Sequence, residues 1–174
     1  AVRQPVVVAK MLTSLAVMSK NRLSVGVGLS PWEEDFQATQ IPWAQRGRRM
    51  HEQIEIINGL MSGEYFSYEG ELLSIPEIKL CPVPEKRVPL LLGGHSAAAL
   101  KRAAQLGDGW VAAGGEFSAL KKMIATVNEL RKEFGRTQQP FEVHATGLEA
   151  YSKDGIEQLA DAGVDLVFVG FHNI

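Results

Sequence analysis

The sequence predicts an α/β protein built on a parallel sheet, and two observations carry this prediction. Short apolar segments alternate along the chain with longer segments in which apolar residues recur at helical spacing. The short segments are hydrophobic at nearly every position, as strands are when helices cover both faces of a parallel sheet. The predicted strands are residues 23–28, 89–92, 109–113, 141–148 and 165–170, and the predicted helices are residues 6–18, 44–61, 96–106, 120–134 and 156–162.

The first half of the chain begins with a helix and a strand and then departs from regular alternation. In strand 23–28, glycine and serine fall on one face, and leucine and valine fall on the other. Residues 44–61 are predicted as a helix because Met50, Ile54 and Ile57 share a face, and residues 65–75 alternate as in a small hairpin. About 60 residues thus separate two strands that a minimal β/α unit would join with far fewer. We interpret this region as an insertion at a strand end.

The second half alternates between strands and helices, and glycines mark the helix ends. Gly107, Gly135 and Gly163 each follow a predicted helix, where glycine is a favoured residue. The connections between parallel strands are expected to be right-handed crossovers.

The five predicted strands fit a small open sheet or part of an eight-stranded (β/α)8 barrel, which typically needs about 250 residues. A chain of 174 residues fits one domain, and we treat residues 1–174 as a single barrel domain. The chain opens on a helix and stops four residues after its last predicted strand. We therefore expect a partial barrel that is incomplete at its N-terminus and at its C-terminus.

Composition and charge argue against several classes of function. The formal net charge is −2 and no Lys/Arg-rich run occurs, so neither nucleic acid nor an anionic membrane is an expected partner. The longest apolar runs are far too short to span a bilayer, and the first five residues lack the pattern of a signal peptide. Because Cys81 is the only cysteine, we expect a reducing compartment and a cytoplasmic protein.

The turn Gly93-Gly94-His95-Ser96 lies between a predicted strand and a predicted helix, and it is the strongest candidate for a phosphate-binding site. Glycines let the backbone approach a ligand, while the next helix offers unpaired N–H groups and the positive end of its dipole. Ser96 can donate its hydroxyl to a phosphate, and His95 can contact the ligand. The alternative is a plain strand-to-helix turn in which Ser96 is the N-cap.

Other motifs carry weaker predictions. Gly26-Val27-Gly28 resembles the start of a dinucleotide fingerprint, but Pro31 stands at the third glycine position, so these glycines are interpreted as leaving room beside a strand. Trp32 and Glu33 follow this strand, where a carboxylate would serve proton chemistry; the alternative is the charged first turn of a short helix. The four histidines do not have the spacing of metal ligands, so a metal site is not expected. No Gly-x-Ser-x-Gly motif occurs, so a serine hydrolase is not supported.

Two further expectations concern charged and aromatic residues. Arg46, Arg48, Arg49, Glu52 and Glu55 are expected to form ion pairs on the surface of their helix, at spacings of three and four residues. Trp110 is expected either to face the core or to line the end of its strand.

Taken together, these segments resemble the luciferase-like flavin and deazaflavin oxidoreductases, a family of (β/α)8 barrels. The resemblance is most specific in the run Gly93-Gly94-His95-Ser96, Arg102-Ala103-Ala104 and Gly107-Asp108-Gly109-Trp110. It extends to the Leu15–Gly28 stretch, to Trp32–Phe36 with Arg46-Gly47 and Glu52, and to Tyr68-x-Gly70 followed by Pro82-x-Pro84. This sequence departs from the family at Ala16, where aspartate is usual, and at Lys20-Asn21, which replace a glycine pair.

The resemblance implies barrel strands four to eight of an oxidoreductase that uses the deazaflavin coenzyme F420 for hydride transfer to or from a small organic substrate. An FMN-dependent monooxygenase is the alternative, and a non-catalytic partial barrel for binding or assembly is an alternative of another class. A homodimer is expected, and no catalytic acid or base can be carried over to this chain. The implied cofactor-binding residues are Gly28, Gly93, Gly94, His95, Ser96 and Trp110, and the implied substrate pocket includes Trp32 and Glu33.

Overall fold

The protein has the predicted α/β architecture, described here from a computed structural model for residues 1–170 apart from the side chain of Leu148. The helices are α1 (Pro5–Met18), α2 (Glu33–Ala38), α3 (Arg46–Leu60), α4 (Ala97–Leu106), α5 (Phe117–Glu133) and α6 (Lys153–Asp161), with a 3-10 helix at Leu148–Tyr151. The strands are β1 (Val25–Val27), β2 (Phe66–Glu69), β3 (Ser74–Ile78), β4 (Leu90–Gly93), β5 (Gly109–Ala113), β6 (Glu142–Thr146) and β7 (Leu166–Val167).

Five strands form a parallel sheet in the order β1-β4-β5-β6-β7, while β2 and β3 form a separate antiparallel hairpin. The insertion predicted between the first two strands of the sheet is confirmed, because it contains α2, α3 and the hairpin. Strand β7 is shorter than the predicted strand 165–170. In the described part of the chain it pairs only with β6, so fewer of its backbone groups are held in a ladder.

The described chain divides into two compact groups of residues. One contains residues 1–25 and 29–89, with helices α1 to α3 and the hairpin; the other contains Gly26–Gly28 and the chain from Leu90 onward. The assignment of residues 1–174 to a single barrel domain stays a prediction. Within residues 1–170, no helix combines the length and the apolar character needed to cross a membrane.

In the first group, the hairpin is anchored to α3 by a buried carboxylate. Glu52 is only 5% exposed, and its carboxylate accepts hydrogen bonds of 2.8–3.2 Å from the backbone N–H groups of Glu71, Leu72 and Leu73. These donors belong to the turn between β2 and β3. The prediction that Glu52 forms a surface ion pair is therefore wrong, because the hairpin turn covers this face of α3.

Neighbouring side chains of α3 reinforce the same attachment. The hydroxyl of Tyr68 donates to Oε2 of Glu55 at 2.6 Å, and Arg48 forms an ion pair with Glu71 of the turn. Desolvation by burial, and then the hydrogen bond that the hydroxyl donates to Glu55, raise the pKa of Tyr68 above its ordinary value. Arg48, Glu52 and Glu55, which share one face of α3, thus hold the inserted hairpin in one orientation on the helix.

In the second group, one face of the sheet is buried. The side chains of Leu90, Leu92, Trp110, Val143 and Ala145 lie on that face and are at most 6% exposed. Helix α4 packs along β4 and β5, and it also contacts α5. Burial on this scale is the dominant favourable term in the stability of such a layer.

Two aspartates clamp neighbouring parallel strands in register. The backbone N–H of Asp108 donates to the carbonyl of Leu90, and Oδ2 of Asp108 accepts from the N–H of Leu90, both at 2.8 Å. Asp165 repeats this arrangement on Val143, with distances of 2.8 and 2.7 Å. Each aspartate directly precedes a strand and bonds the first or second residue of the neighbouring strand. The clamps act on the β4–β5 and β6–β7 pairs, and the ladder between β5 and β6 joins the two pairs. The carboxyl ends of β4 to β7 thus lie along one edge.

We predict that Glu52→Gln lowers the free energy of unfolding by about 2–4 kcal/mol. The amide nitrogen of glutamine cannot accept a hydrogen bond, so buried N–H groups of the hairpin turn lose a charged acceptor. Chemical denaturation would measure the change, with Glu77→Gln on the exposed side of β3 as the matched control. A loss below about 0.5 kcal/mol, equal to that of an ordinary surface substitution, would contradict this role for Glu52.

We predict that Asp108→Ala lowers the free energy of unfolding by about 1.5–3 kcal/mol. The substitution removes the charged acceptor of the Leu90 N–H and leaves that strand-opening donor without its partner. Asp161→Ala, at an exposed position in the last turn of α6, is the control and should change stability by less than about 0.5 kcal/mol. Equal stabilities of the two variants would show that the clamp does not hold the register of β4 and β5.

Candidate functional site

The turn Gly93-Gly94-His95-Ser96 joins the carboxyl end of β4 to the start of α4. Gly94 has φ of +120°, a conformation that side chains disfavour, and a Cβ there would lie 2.8 Å from the Cβ of Ala99. Two constraints therefore require glycine at this position. With glycine here, the chain turns from strand to helix and the backbone of the turn is exposed.

Ser96 is the N-cap of α4. Its Oγ accepts a hydrogen bond of 3.2 Å from the N–H of Ala99, and its carbonyl accepts from the N–H groups of Ala99 and Leu100. Ser96 thus caps α4, as the alternative interpretation expected. Because its Oγ acts as the acceptor in this bond, the hydroxyl proton can still be donated to a ligand. The N–H groups of Ala97 and Ala98, in the first turn of α4, have no intrahelical acceptor by helix geometry, and both residues are exposed.

Trp110 holds this turn through a side-chain hydrogen bond. The residue is fully buried, and its indole Nε1–H donates to the carbonyl of Gly94 at 2.9 Å. The ring of His95 lies edge-on to the indole, with centroids 6.2 Å apart, while His95 itself is exposed. Of the two places expected for Trp110, the structure shows the core. The side chain therefore positions the turn and is not itself open to a ligand.

Glycines leave open space at the carboxyl ends of β1 and β4. A Cβ added to Gly26 or Gly28 would meet no atom within 4 Å, and one added to Gly93 would meet only carbonyl oxygens of Val27 and Val111, at 3.7 and 3.8 Å. In a (β/α) barrel this face is normally filled by bulky branched side chains. No side chain fills these positions beside the turn, and we call the open space at Gly26, Gly28 and Gly93 the glycine cradle.

A cavity of about 780 Å³ lies farther along the same sheet edge, at the ends of β5, β6 and β7. Its lining consists of residues 114–116, 146–147, 151 and 168–170. Sequence reasoning missed this cavity as a site. The available signal was a second glycine pair, Gly114-Gly115, which follows β5 as Gly93-Gly94 follows β4. Both of these glycines adopt positive φ, of +72° and +108°.

His144 is another residue that the sequence did not single out. It is 6% exposed and projects from β6 on the same side of the sheet as Thr146, which lines the cavity. Its Nε2 lies 2.8 Å from Oε2 of Glu142, and its ring contacts the ring of Phe168 edge-on at 5.7 Å. Within residues 1–170, no cluster of three or more potential metal ligands is present.

Trp32 and Glu33 belong to the other compact group of residues. Trp32 precedes α2 and is 66% exposed, and Glu33 is the first residue of that helix, followed by Glu34 and Asp35. The alternative of a charged first helical turn is thus confirmed for Glu33, since acidic residues there are stabilised by the helix dipole. A role for Trp32 and Glu33 in a substrate pocket stays a prediction.

Comparison with known proteins gives a consistent result. A protein-family model described as luciferase-like monooxygenase matches residues 1–168. An uncharacterized protein of Mycobacterium tuberculosis is 46% identical over 170 residues, which cover 98% of this chain and 58% of that protein. The chain therefore spans little more than half the length of this relative.

Two relatives with named activities are more distant. An F420-dependent glucose-6-phosphate dehydrogenase of Microbacterium testaceum is 30% identical over 138 residues, covering 77% of this chain and 41% of that enzyme. An FMNH2-dependent dimethylsulfone monooxygenase of Pseudomonas fluorescens is 28% identical over 124 residues, covering 70% of this chain and 34% of that enzyme.

Among solved structures, a monooxygenase from Streptomyces bottropensis matches with a TM-score of 0.74 at 19% identity, covering 92% of this chain and 52% of that one. This likeness concerns the fold, and it confirms the predicted partial (β/α)8 barrel. Because the family model matches nearly the whole chain, and the resemblance found in the sequence rests on the same segments, the chain belongs to the luciferase-like monooxygenase family.

Proposed function

We propose that the chain is part of an oxidoreductase that binds coenzyme F420, with the cofactor phosphate on the turn Gly93-Gly94-His95-Ser96. The observation that carries this proposal is the exposed turn at the N-terminus of α4, where backbone N–H groups and the Ser96 hydroxyl face solvent beside the glycine cradle. Family membership supports the oxidoreductase class, since the named relatives act on their substrates by redox chemistry.

The residues of the proposed site contribute to binding in different ways. The N–H groups that open α4 and the hydroxyl of Ser96 donate hydrogen bonds to the phosphate, and Trp110 keeps the Gly94 carbonyl turned away from it. Gly28 and Gly93 leave room for the ring system. When bound, either candidate cofactor supplies the two-electron redox chemistry, so the protein's contribution is binding and orientation.

Two observations bear on the choice of cofactor. The run from Gly93 to Trp110 resembles the F420-using members of the family more closely, and the named relative with the higher identity is F420-dependent. FMN is the second candidate, because a relative of nearly equal identity is FMNH2-dependent. A non-catalytic partial barrel remains the alternative of another class, and failure of both cofactors to bind would favour it.

We predict that Ser96→Asp weakens the binding of F420 and of FMN by about tenfold or more, without unfolding the protein. Aspartate is as good an N-cap as serine, so α4 keeps its capping hydrogen bond. Its charge nevertheless repels a phosphate at the same helix end, and about 1.4 kcal/mol of repulsion corresponds to tenfold. Fluorescence titration of each cofactor would measure the affinities, and thermal melting would report stability.

Ser152→Asp is the matched control for this experiment. Ser152 is the N-cap of α6 and accepts a hydrogen bond from the N–H of Gly155, so the same substitution places the same charge at a different helix end. Its cofactor affinities should equal those of the unsubstituted protein. If Ser152→Asp weakened binding while Ser96→Asp did not, the phosphate would bind at α6 and the proposed site would be wrong.

A further inference from the structure

The cavity at the ends of β5 to β7 differs from the glycine turn after β4 in its charge. Glu116 lines the cavity, and although it is the N-cap residue of α5, its side chain makes no capping hydrogen bond. The carboxylate is therefore not consumed in holding the helix. A ligand phosphate at this helix end would meet a negative charge, whereas at α4 it would meet the neutral Ser96.

A second carboxylate, that of Glu149, lies close to the cavity, although Glu149 is not itself a lining residue. Oε2 of Glu149 lies 2.6 Å from the position that a Cβ on Gly147 would occupy, and Gly147 lines the cavity. None of the cavity-lining residues that the structure describes is a lysine, an arginine or a histidine. With negative charge beside it and no cation in this lining, the cavity disfavours phosphate and carboxylate groups.

The remaining lining is apolar or carries neutral polar groups. Phe168 and Val169 present apolar side chains, and the hydroxyl of Tyr151 is already engaged, donating to the carbonyl of Gly170 at 2.6 Å. The hydroxyl of Thr146 is a neutral hydrogen-bonding group in the lining. A cavity of this size with apolar walls and few polar groups is typical of sites for small organic ligands.

We propose that this cavity binds an uncharged alcohol or carbonyl compound with an apolar substituent, and that Glu116 excludes phosphorylated compounds from it. In treating the occupant as the substrate, this inference rests on the proposed oxidoreductase function. The apolar part of the ligand packs on Phe168 and Val169, and its oxygen hydrogen-bonds with Thr146. The substrate class accordingly differs from the sugar phosphate in the name of the Microbacterium testaceum relative.

A matched pair of probes tests the proposal: benzyl alcohol and benzyl phosphate, which share an apolar group and differ in the charged one. NMR titration of the 174-residue chain, followed at the amide signals of Gly115 and Gly147 in the cavity lining, reports binding there separately from binding at the turn after β4. It should show at least tenfold tighter binding of the alcohol. Glu116→Lys should reduce or reverse this preference by tenfold or more, since it exchanges a repelling charge for an attracting one. Glu133→Lys makes the same change of net charge at the opposite end of α5 and should leave the preference unchanged.

Three outcomes would overturn the proposal. Equal or tighter binding of benzyl phosphate by the unsubstituted chain contradicts the exclusion of anions, and an unaltered preference in Glu116→Lys contradicts the role of Glu116. Binding of neither probe would show that the cavity is not a ligand site. Titration of F420 and FMN in the same samples separates this inference from the proposed function, because loss of cofactor binding with retained probe selectivity would refute only the latter.

Discussion

The alignment of parallel strands in the β4–β7 sheet is the constraint on which the site depends. Strand and helix propensities alone do not determine where one strand starts against the next, and a slip of one residue would move every side chain to the other face. The reciprocal hydrogen bonds of Asp108 with Leu90, and of Asp165 with Val143, remove this ambiguity for β4 against β5 and for β6 against β7. Each carboxylate satisfies an N–H group at the start of a strand, where the sheet ladder offers no partner.

Because the strands are aligned, the turns that follow β4 and β5 lie along one edge of the sheet, where each can contact a different ligand group. The turn after β4 combines Gly94, a neutral N-cap and open space beside Gly93, which together suit an anion. The turn after β5 repeats the glycine pair but ends in Glu116, which opposes an anion. The two turns share a glycine pair but differ in charge at the helix that follows. On the proposed assignments, the first turn binds the cofactor phosphate and the cavity beside the second binds an uncharged substrate.

Much of this architecture was predictable from the sequence because its signals are local. The periodicity of apolar residues predicted every strand of the sheet and five of the six helices, and only α2 was left as an alternative, since six residues are too few to show a helical period. The capping role of Ser96 followed from its place before a helix. The fold could be identified from a family resemblance, because the run from Gly93 to Trp110 matches the family in residue order and spacing.

The misses have a common physical cause, which is that long-range contacts leave no local pattern. Glu52 looked like a surface residue because its helix is rich in charge, yet a turn 19 residues away buries its carboxylate. The family motif pointed to Asp108, but its hydrogen bonds with Leu90 become visible only in the sheet. The cavity lined by Glu116, Thr146 and Phe168 joins three separate segments, so no single stretch of sequence predicted it.

Amide chemical shifts of the 174-residue chain would show whether a phosphate binds the turn after β4. Titration with FMN and with riboflavin, which lacks the phosphate, isolates the effect of that one group. If the phosphate binds this turn, FMN, but not riboflavin, shifts the amide signals of Ser96, Ala97 and Ala98 at the start of α4. Shifts confined to Gly114 and Gly115, or equal shifts with both compounds, would contradict a phosphate site on the turn after β4.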